Sequence, residues 1–244
     1  MLDPLENLEK RPSSRLFTNK EICRPYLKFK KNMLNILSDE SFTAPIRLRR
    51  NNFGKNIQDP RGFPAKIKQQ IQILFGEDVT IVPLIVMRNH VDLVFSQYVE
   101  EFNLKKYLDR ELIFEKDGKT INLSDFDIYN FNSYLSEVER VFGFKSTKVL
   151  FFEQIKYDFE NFCQTLAILS QVDVQYVARC FKTQHLNSRK KTKNGYWTKD
   201  GVYFIQNLSA EQKEDIIRHF SEDTKLLCER FSGQHDLRKF GYLY

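Results

Sequence analysis

The chain has 244 residues, with 38 Lys and Arg against 32 Asp and Glu, a formal charge of +6 and a pI near 9.0. That length suffices for one substantial core, and 22 Phe against 9 Gly and 7 Pro exclude a low-complexity or disordered chain. The moderate positive charge admits a nucleic acid, a membrane surface or a phosphorylated small molecule as partner, and does not choose among them.

The N-terminus, "MLDPLENLEKRPSSRLF", places acidic and polar residues where a signal peptide has a basic start and an apolar stretch. No run reaches the roughly 20 apolar residues that span a bilayer. A soluble, cytoplasmic protein is expected, with the Golgi lumen as the alternative were an anchor to precede this N-terminus. Cys23, Cys163, Cys180 and Cys228 stand far apart, without a CxxC or an adjacent His pair, so free thiols are expected and no zinc site.

Residues 1–32 read as a polar extension and residues 33–244 as one domain. "NMLNILSDE" (Asn32 to Glu40) reads as a short strand ending in acids, and "RLRRNNFGKNIQDPRG" as a basic loop. Pro64, Ile67, Ile71 and Leu74 mark a helix with proline at its start. "VTIVPLIVM" (Val79 to Met87) reads as a strand covered on both faces, although Pro83 cannot donate to a ladder. His90 to Leu108 reads as a helix, "LIFEKDGKTINL" as a hairpin turning at Asp117 and Gly118.

Ile128, Phe131, Leu135, Val138 and Phe142 fall at three- and four-residue spacing, an amphipathic helix that Gly143 stops. "TKVLFFEQI" (Thr147 to Ile155) is a second apolar strand, followed by a helix through Phe159, Phe162, Leu166 and Leu169. Ser209 and Gln212 form a capping box before one long helix with the apolar face Ile216, Phe220, Leu227 and Phe231. Strands alternating with helices predict an α/β layer fold with a mostly parallel sheet, and ligands of such sheets bind beyond the carboxyl ends of the strands.

Two segments carry candidate chemistry. Arg88 closes the apolar run and Ser96 follows two helical turns later; an Arg fork can clamp a phosphate while a Ser hydroxyl adds a bond. The bland alternative pairs Arg88 with Asp92. The other segment, "HLNSRKKTKNGYW" (His185 to Trp197), joins five basic residues to the one Trp, fit to fold over a nucleotide and stack on its base, or simply to be a solvated loop.

In order, these segments resemble the sulfotransferase family, bacterial carbohydrate-type, which uses 3'-phosphoadenosine 5'-phosphosulfate. "VPLIVMRNHVDLVFSQYVEEF" is similar to the family's 3'-phosphate segment, a strand followed by R-[ND]-P-x-[DE]-x-x-x-S-x-Y: Arg88, Asn89, Asp92, Ser96 and Tyr98 fall in register, and His90 stands for the Pro. "KVLFFEQIKYDFENF" resembles the later strand and "YEDLKxD", with Glu153, Lys156 and Asp158 matching and Phe152 for the Tyr. "SRKKTKNGYW" resembles the distal "RKGxxGDW" loop through Arg189 and Lys190, with Lys191 in place of a Gly and one residue inserted.

The resemblance runs from about Met33 to Phe231 and implies a three-layer, P-loop-nucleotide-hydrolase-like sulfotransferase fold with a mostly parallel sheet flanked by helices. It implies sulfuryl transfer from that donor to a hydroxyl of a carbohydrate or similar acceptor, without a metal. Arg88, Ser96, Arg189 and Lys190 would bind the nucleotide, and Glu40 would be the catalytic base, with Asp39 and His90 next in line. Arg47, Arg49 and Arg50 could meet an acidic sugar. The departure is at the front: residues 1–40 hold no Gly-Lys/Arg-Ser/Thr-Gly-Thr loop for the 5'-phosphosulfate. A nucleotide- or sugar-binding module without turnover is therefore the alternative, and a basic nucleic-acid-binding protein ranks third because the Lys and Arg residues form no stripe.

Overall fold

In the computed structural model of the chain, which describes residues 34, 36, 63–104, 120, 121, 123, 126, 129–183, 192, 194–197 and 204–244, the fold is mixed α/β with a small parallel sheet. The backbone divides into two units, residues 1–85 with 133–149 and residues 86–132 with 150–244. Of the strand expected over Asn32 to Glu40, only Leu34 and Ile36 are described, both exposed and without regular structure.

In the first unit, α1 (Phe63–Phe75) carries Pro64 in its first turn, where the missing N–H costs nothing. It stops at Gly76, whose φ of 97° lets its N–H return to the Gln72 carbonyl. The Lys68 ammonium donates to the Val141 carbonyl at 2.8 Å, near the end of α3 (Phe131–Phe142). That helix buries Tyr134, Leu135 and Val138 and ends, as its spacing predicts, at Gly143 with φ 93°.

β1 (Leu84–Met87) and β2 (Lys148–Phe151) form a parallel pair. Lys148 N–H donates to Pro83 O at 2.9 Å and Phe152 N–H to Met87 O at 2.8 Å, a step of four residues on each strand. Pro83 thus sits just ahead of the strand and contributes only its carbonyl. β1 departs from the expectation of cover on both faces: Ile85 and Met87 are buried, whereas Leu84 and Val86 are 41% and 53% exposed. The second strand is also shorter than its apolar run, because the Gln154 side chain accepts the Phe151 N–H at 2.8 Å and the chain turns into α4 (Gln154–Tyr157).

The second unit holds two cores. One gathers Val94 and Val99 of α2 (His90–Leu104) with Phe126, Tyr129, Ile205, Ile216 and Phe220. The other seats Leu150 of β2 against Phe162, Cys163 and Ala167 of α5 (Phe159–Ser170) and Val177 of α6 (Val174–Thr183). The hairpin expected at Asp117 and Gly118 lies outside the described residues.

The end of the expected basic segment is a strand, β3 (Gly195–Trp197), which pairs antiparallel with β4 (Phe204–Gln206), while Arg189, Lys190, Lys191 and Lys193 lie outside the described residues. Gly195 suits that pairing because a Cβ there would lie 2.1 Å from the Ile205 carbonyl oxygen. The capping box of Ser209 and Gln212 opens α7 (Ala210–His219) with both reciprocal bonds made. The single helix expected after it is two, since Phe220 leaves helical geometry at φ −99°, ψ 9° and α8 (Ser221–Phe231) begins beyond it. The apolar stripe Ile216, Phe220, Leu227 and Phe231 is nonetheless buried throughout. Among the described residues no helix is long and apolar enough to cross a membrane, and Cys163, Cys180 and Cys228 are not in disulfide bonds.

Phe151 is fully buried and meets the rings of Phe231, His235, Phe240 and Tyr242. Phe151→Ala should therefore cost about 3–5 kcal/mol in urea-induced unfolding, and a loss below about 1 kcal/mol would contradict this packing.

Candidate functional site

The carboxyl ends of β1 and β2 bring together residues 88–92 and 152–154, and one hydrogen-bonded group fixes them. Asn89, next after Arg88, is the N-cap of α2: its side-chain oxygen accepts the Asp92 N–H at 2.9 Å and its carbonyl accepts the Leu93 N–H. Its amide Nδ2 donates to Asp92 Oδ2 and to Glu153 Oε1, both at 2.9 Å, and approaches the Phe240 carbonyl at 3.4 Å. Its backbone N–H also donates to Glu153 Oε1 at 2.9 Å.

Glu153 is buried, and one carboxylate oxygen thus takes two bonds from one residue across the strand exits. Burial pushes its carboxyl above the ordinary value, against the downward pull of the Asn89 bonds and of the Arg88 charge. Its other oxygen, Oε2, is buried without a hydrogen-bond partner, as is the Tyr242 hydroxyl. Tyr242 is held far above the usual phenol range, first by burial and then by the Glu153 charge.

Arg88 does not pair with Asp92, whose carboxylate is engaged by Asn89. Its guanidinium lies 4.8 Å over the ring of Phe152, and its Nε is buried without a hydrogen-bond partner. Among the described residues it has no ion pair. The result is a half-buried cation at the sheet edge whose fork is held by an aromatic face rather than by a carboxylate. Ser96, half-buried, follows on α2 one turn after Asp92 and on the same face.

His90 is not placed to act as a base. It is buried, stacked between Phe131 (4.8 Å) and Phe220 (4.0 Å). Its Nε2 donates to the Tyr129 carbonyl at 2.9 Å and its Nδ1 accepts from the Thr224 hydroxyl at 3.2 Å, which fixes the neutral Nε2–H tautomer. Asp223 Oδ2 stands 3.9 Å from Nε2, but the proton there goes to Tyr129, so this contact is no ion pair. Burial pulls the imidazole down to about 4.

Glu40, Asp39, Arg189, Lys190 and the arginines at 47, 49 and 50 lie outside the described residues. Trp197 meets Phe204 edge to face at 5.4 Å, and Tyr196 meets Phe95 at 5.6 Å, so both rings have protein neighbours. Sequence reasoning missed the C-terminal segment, a 3-10 turn over Leu237–Phe240 followed by Gly241 and Tyr242, which packs on Asn89 and Phe151. The signal was present as "LRKFGYLY", an aromatic-rich end with one Gly.

An open depression of about 430 Å³ lined by Cys228, His235, Asp236, Arg238 and Tyr244 includes none of the strand-exit residues. Among the described residues no three His, Cys, Asp or Glu side chains gather as metal ligands. Comparison of the chain with family models, with curated proteins and with solved structures gives no match in any of the three.

The buried imidazole sets a pH dependence. Between pH 6.5 and about 4 the unfolded chain binds a proton at His90 that the folded chain refuses, so this contribution is complete above pH 6.5 and lost as pH falls to 4. It amounts to roughly 3 kcal/mol. An NMR titration of the His90 ring should have its midpoint near 4, and a midpoint at or above the ordinary histidine value would refute the assignment.

Proposed function

We propose that this chain is a sulfotransferase that uses 3'-phosphoadenosine 5'-phosphosulfate, holding the donor's 3'-phosphate at the exit of β1 and transferring its sulfuryl group to a hydroxyl of a carbohydrate or similar acceptor. The observation that carries the reading is Arg88: a half-buried guanidinium at a parallel-strand exit, with no ion pair among the described residues, just before the helix that carries Ser96. A half-buried cation with no ion pair among the described residues favours an anionic ligand, and the order Arg88, Asn89, Asp92, Ser96 is the order of the family's 3'-phosphate segment.

In this reading the fold is the P-loop-nucleotide-hydrolase-like one, with β1 and β2 as neighbouring strands of its parallel sheet. Arg189 and Lys190 close on the nucleotide from the distal loop. Glu40 takes the proton of the acceptor hydroxyl as that oxygen attacks sulfur in line, and the positive groups stabilise the departing 3'-phosphoadenosine 5'-phosphate. The lack of a Gly-rich Lys-Ser/Thr loop in residues 1–40 favours, as second reading, a module that binds the nucleotide without turnover.

Calorimetry with 3'-phosphoadenosine 5'-phosphate tests the nucleotide site. Arg88→Ala should weaken binding by about 10- to 100-fold and Ser96→Ala by less, as expected for bonds to a charged group. Unchanged affinity in Arg88→Ala removes the central claim. Transfer of radiolabelled sulfate to an oligosaccharide panel separates the enzyme from the binding module.

A further inference from the structure

We propose that Glu153, backed by the C-terminal segment through Tyr242, is a positioning residue for the Arg88 anion site: it fixes Asn89, and with it the direction in which Arg88 leaves β1. This rests on the reading of Arg88 as an anion-binding group and adds a part that the 3'-phosphate segment itself does not contain.

Glu153 Oε1 accepts both the backbone N–H and the side-chain amide of Asn89, so a single buried oxygen holds the peptide that follows Arg88 and the cap of α2 together. A backbone N–H has one direction. Once it is aimed at Glu153, the peptide plane joining Arg88 to Asn89 is set, and the Arg88 side chain departs on the side where Phe152 lies. Removing the carboxylate would leave that N–H and the Nδ2 donor buried with fewer partners, and the chain between β1 and α2 would be free to rotate.

The C-terminal segment supports the same group from behind. The Phe240 carbonyl approaches Asn89 Nδ2 at 3.4 Å, and Gly241, at φ 84°, follows within ordinary contact distance of that side chain. Tyr242 is buried with its ring edge to face with Phe151 at 5.6 Å, its phenol lying within electrostatic reach of Glu153 and Arg88. Three buried polar atoms without hydrogen-bond partners, Arg88 Nε, Glu153 Oε2 and Tyr242 Oη, share this neighbourhood. Each buried group left unsatisfied calls for an explanation, and here three lie together.

The test separates positioning from folding and from the identity of the ligand. In wild type, Glu153→Ala and Glu153→Gln, all first shown to be folded by circular dichroism, the Nε–H resonance of Arg88, assigned by its loss in Arg88→Lys, is followed by NMR for exchange with water. Protection should fall at least tenfold in Glu153→Ala and return in Glu153→Gln, whose amide oxygen still accepts from Asn89. Affinity for 3'-phosphoadenosine 5'-phosphate should follow the same order, falling at least tenfold in the Ala variant and recovering in the Gln variant.

Equal protection of the Nε–H in wild type and Glu153→Ala overturns the inference whatever the nucleotide does. Should Glu153→Ala fail to fold, Glu153→Asp replaces it, whose shorter side chain withdraws the acceptor from Asn89, and unchanged protection overturns the inference equally. A wild type that shows a protected Nε–H dependent on Glu153 yet binds no nucleotide leaves the positioning intact and sinks the choice of ligand.

Discussion

The two strand exits depend on one oxygen atom. Glu153 Oε1 receives two hydrogen bonds from Asn89, 64 residues earlier in the chain. Bonds to a charged acceptor of this kind are worth about 1.5–3 kcal/mol each, and here they also decide geometry. Asn89 at once ends β1, caps α2 and receives the C-terminal segment at Phe240. One sp2 oxygen with two lone pairs can take both donors, and the cost of burying a carboxylate there shows in a carboxyl held above its ordinary value.

What could be read from the sequence was what is decided locally. The helix through Pro64, the stop at Gly143 and the capping box at Ser209 and Gln212 each depend on residues within one or two turns, and each is found. The strands were readable as positions but not as lengths. Apolar composition cannot distinguish a residue that pairs from one that turns, so the run from Thr147 to Ile155 hid the point at which Gln154 claims the Phe151 N–H. The double cover expected for β1 failed for a similar reason, since apolarity reports what a residue tolerates and not what the rest of the chain supplies. Phe220 breaks its helix without a Gly or Pro to announce it.

For the site, the residue types were legible and their partners were not. Arg88 and Ser96 could be named from spacing, but whether Asp92 would neutralise Arg88 depended on Asn89 reaching Asp92 first. Glu153 matched a motif, yet its role comes from a contact 64 positions away. His90 looked like a spare base until the rings of Phe131 and Phe220 and the partners of both its nitrogens were in place. Long-range pairing of this kind leaves no periodic trace in a sequence.

The surroundings of Arg88 also bear on what kind of anion it could hold. A nucleic acid is gripped by many cations spread along a groove, each neutralising one phosphate. Around the exit of β1 the described charges are mixed: Asp92 and Glu153 lie within a few residues of Arg88 in space or sequence, and an extended polyanion laid across them would meet repulsion as often as attraction. A compact phosphate does not have that difficulty. It can be met by the outer nitrogens of one guanidinium that lies over the Phe152 ring, while Asp92 and Glu153 each accept from Asn89. The mixed charge among the described residues at this edge of the sheet is therefore a poorer match for an extended polyanion than for a compact anion.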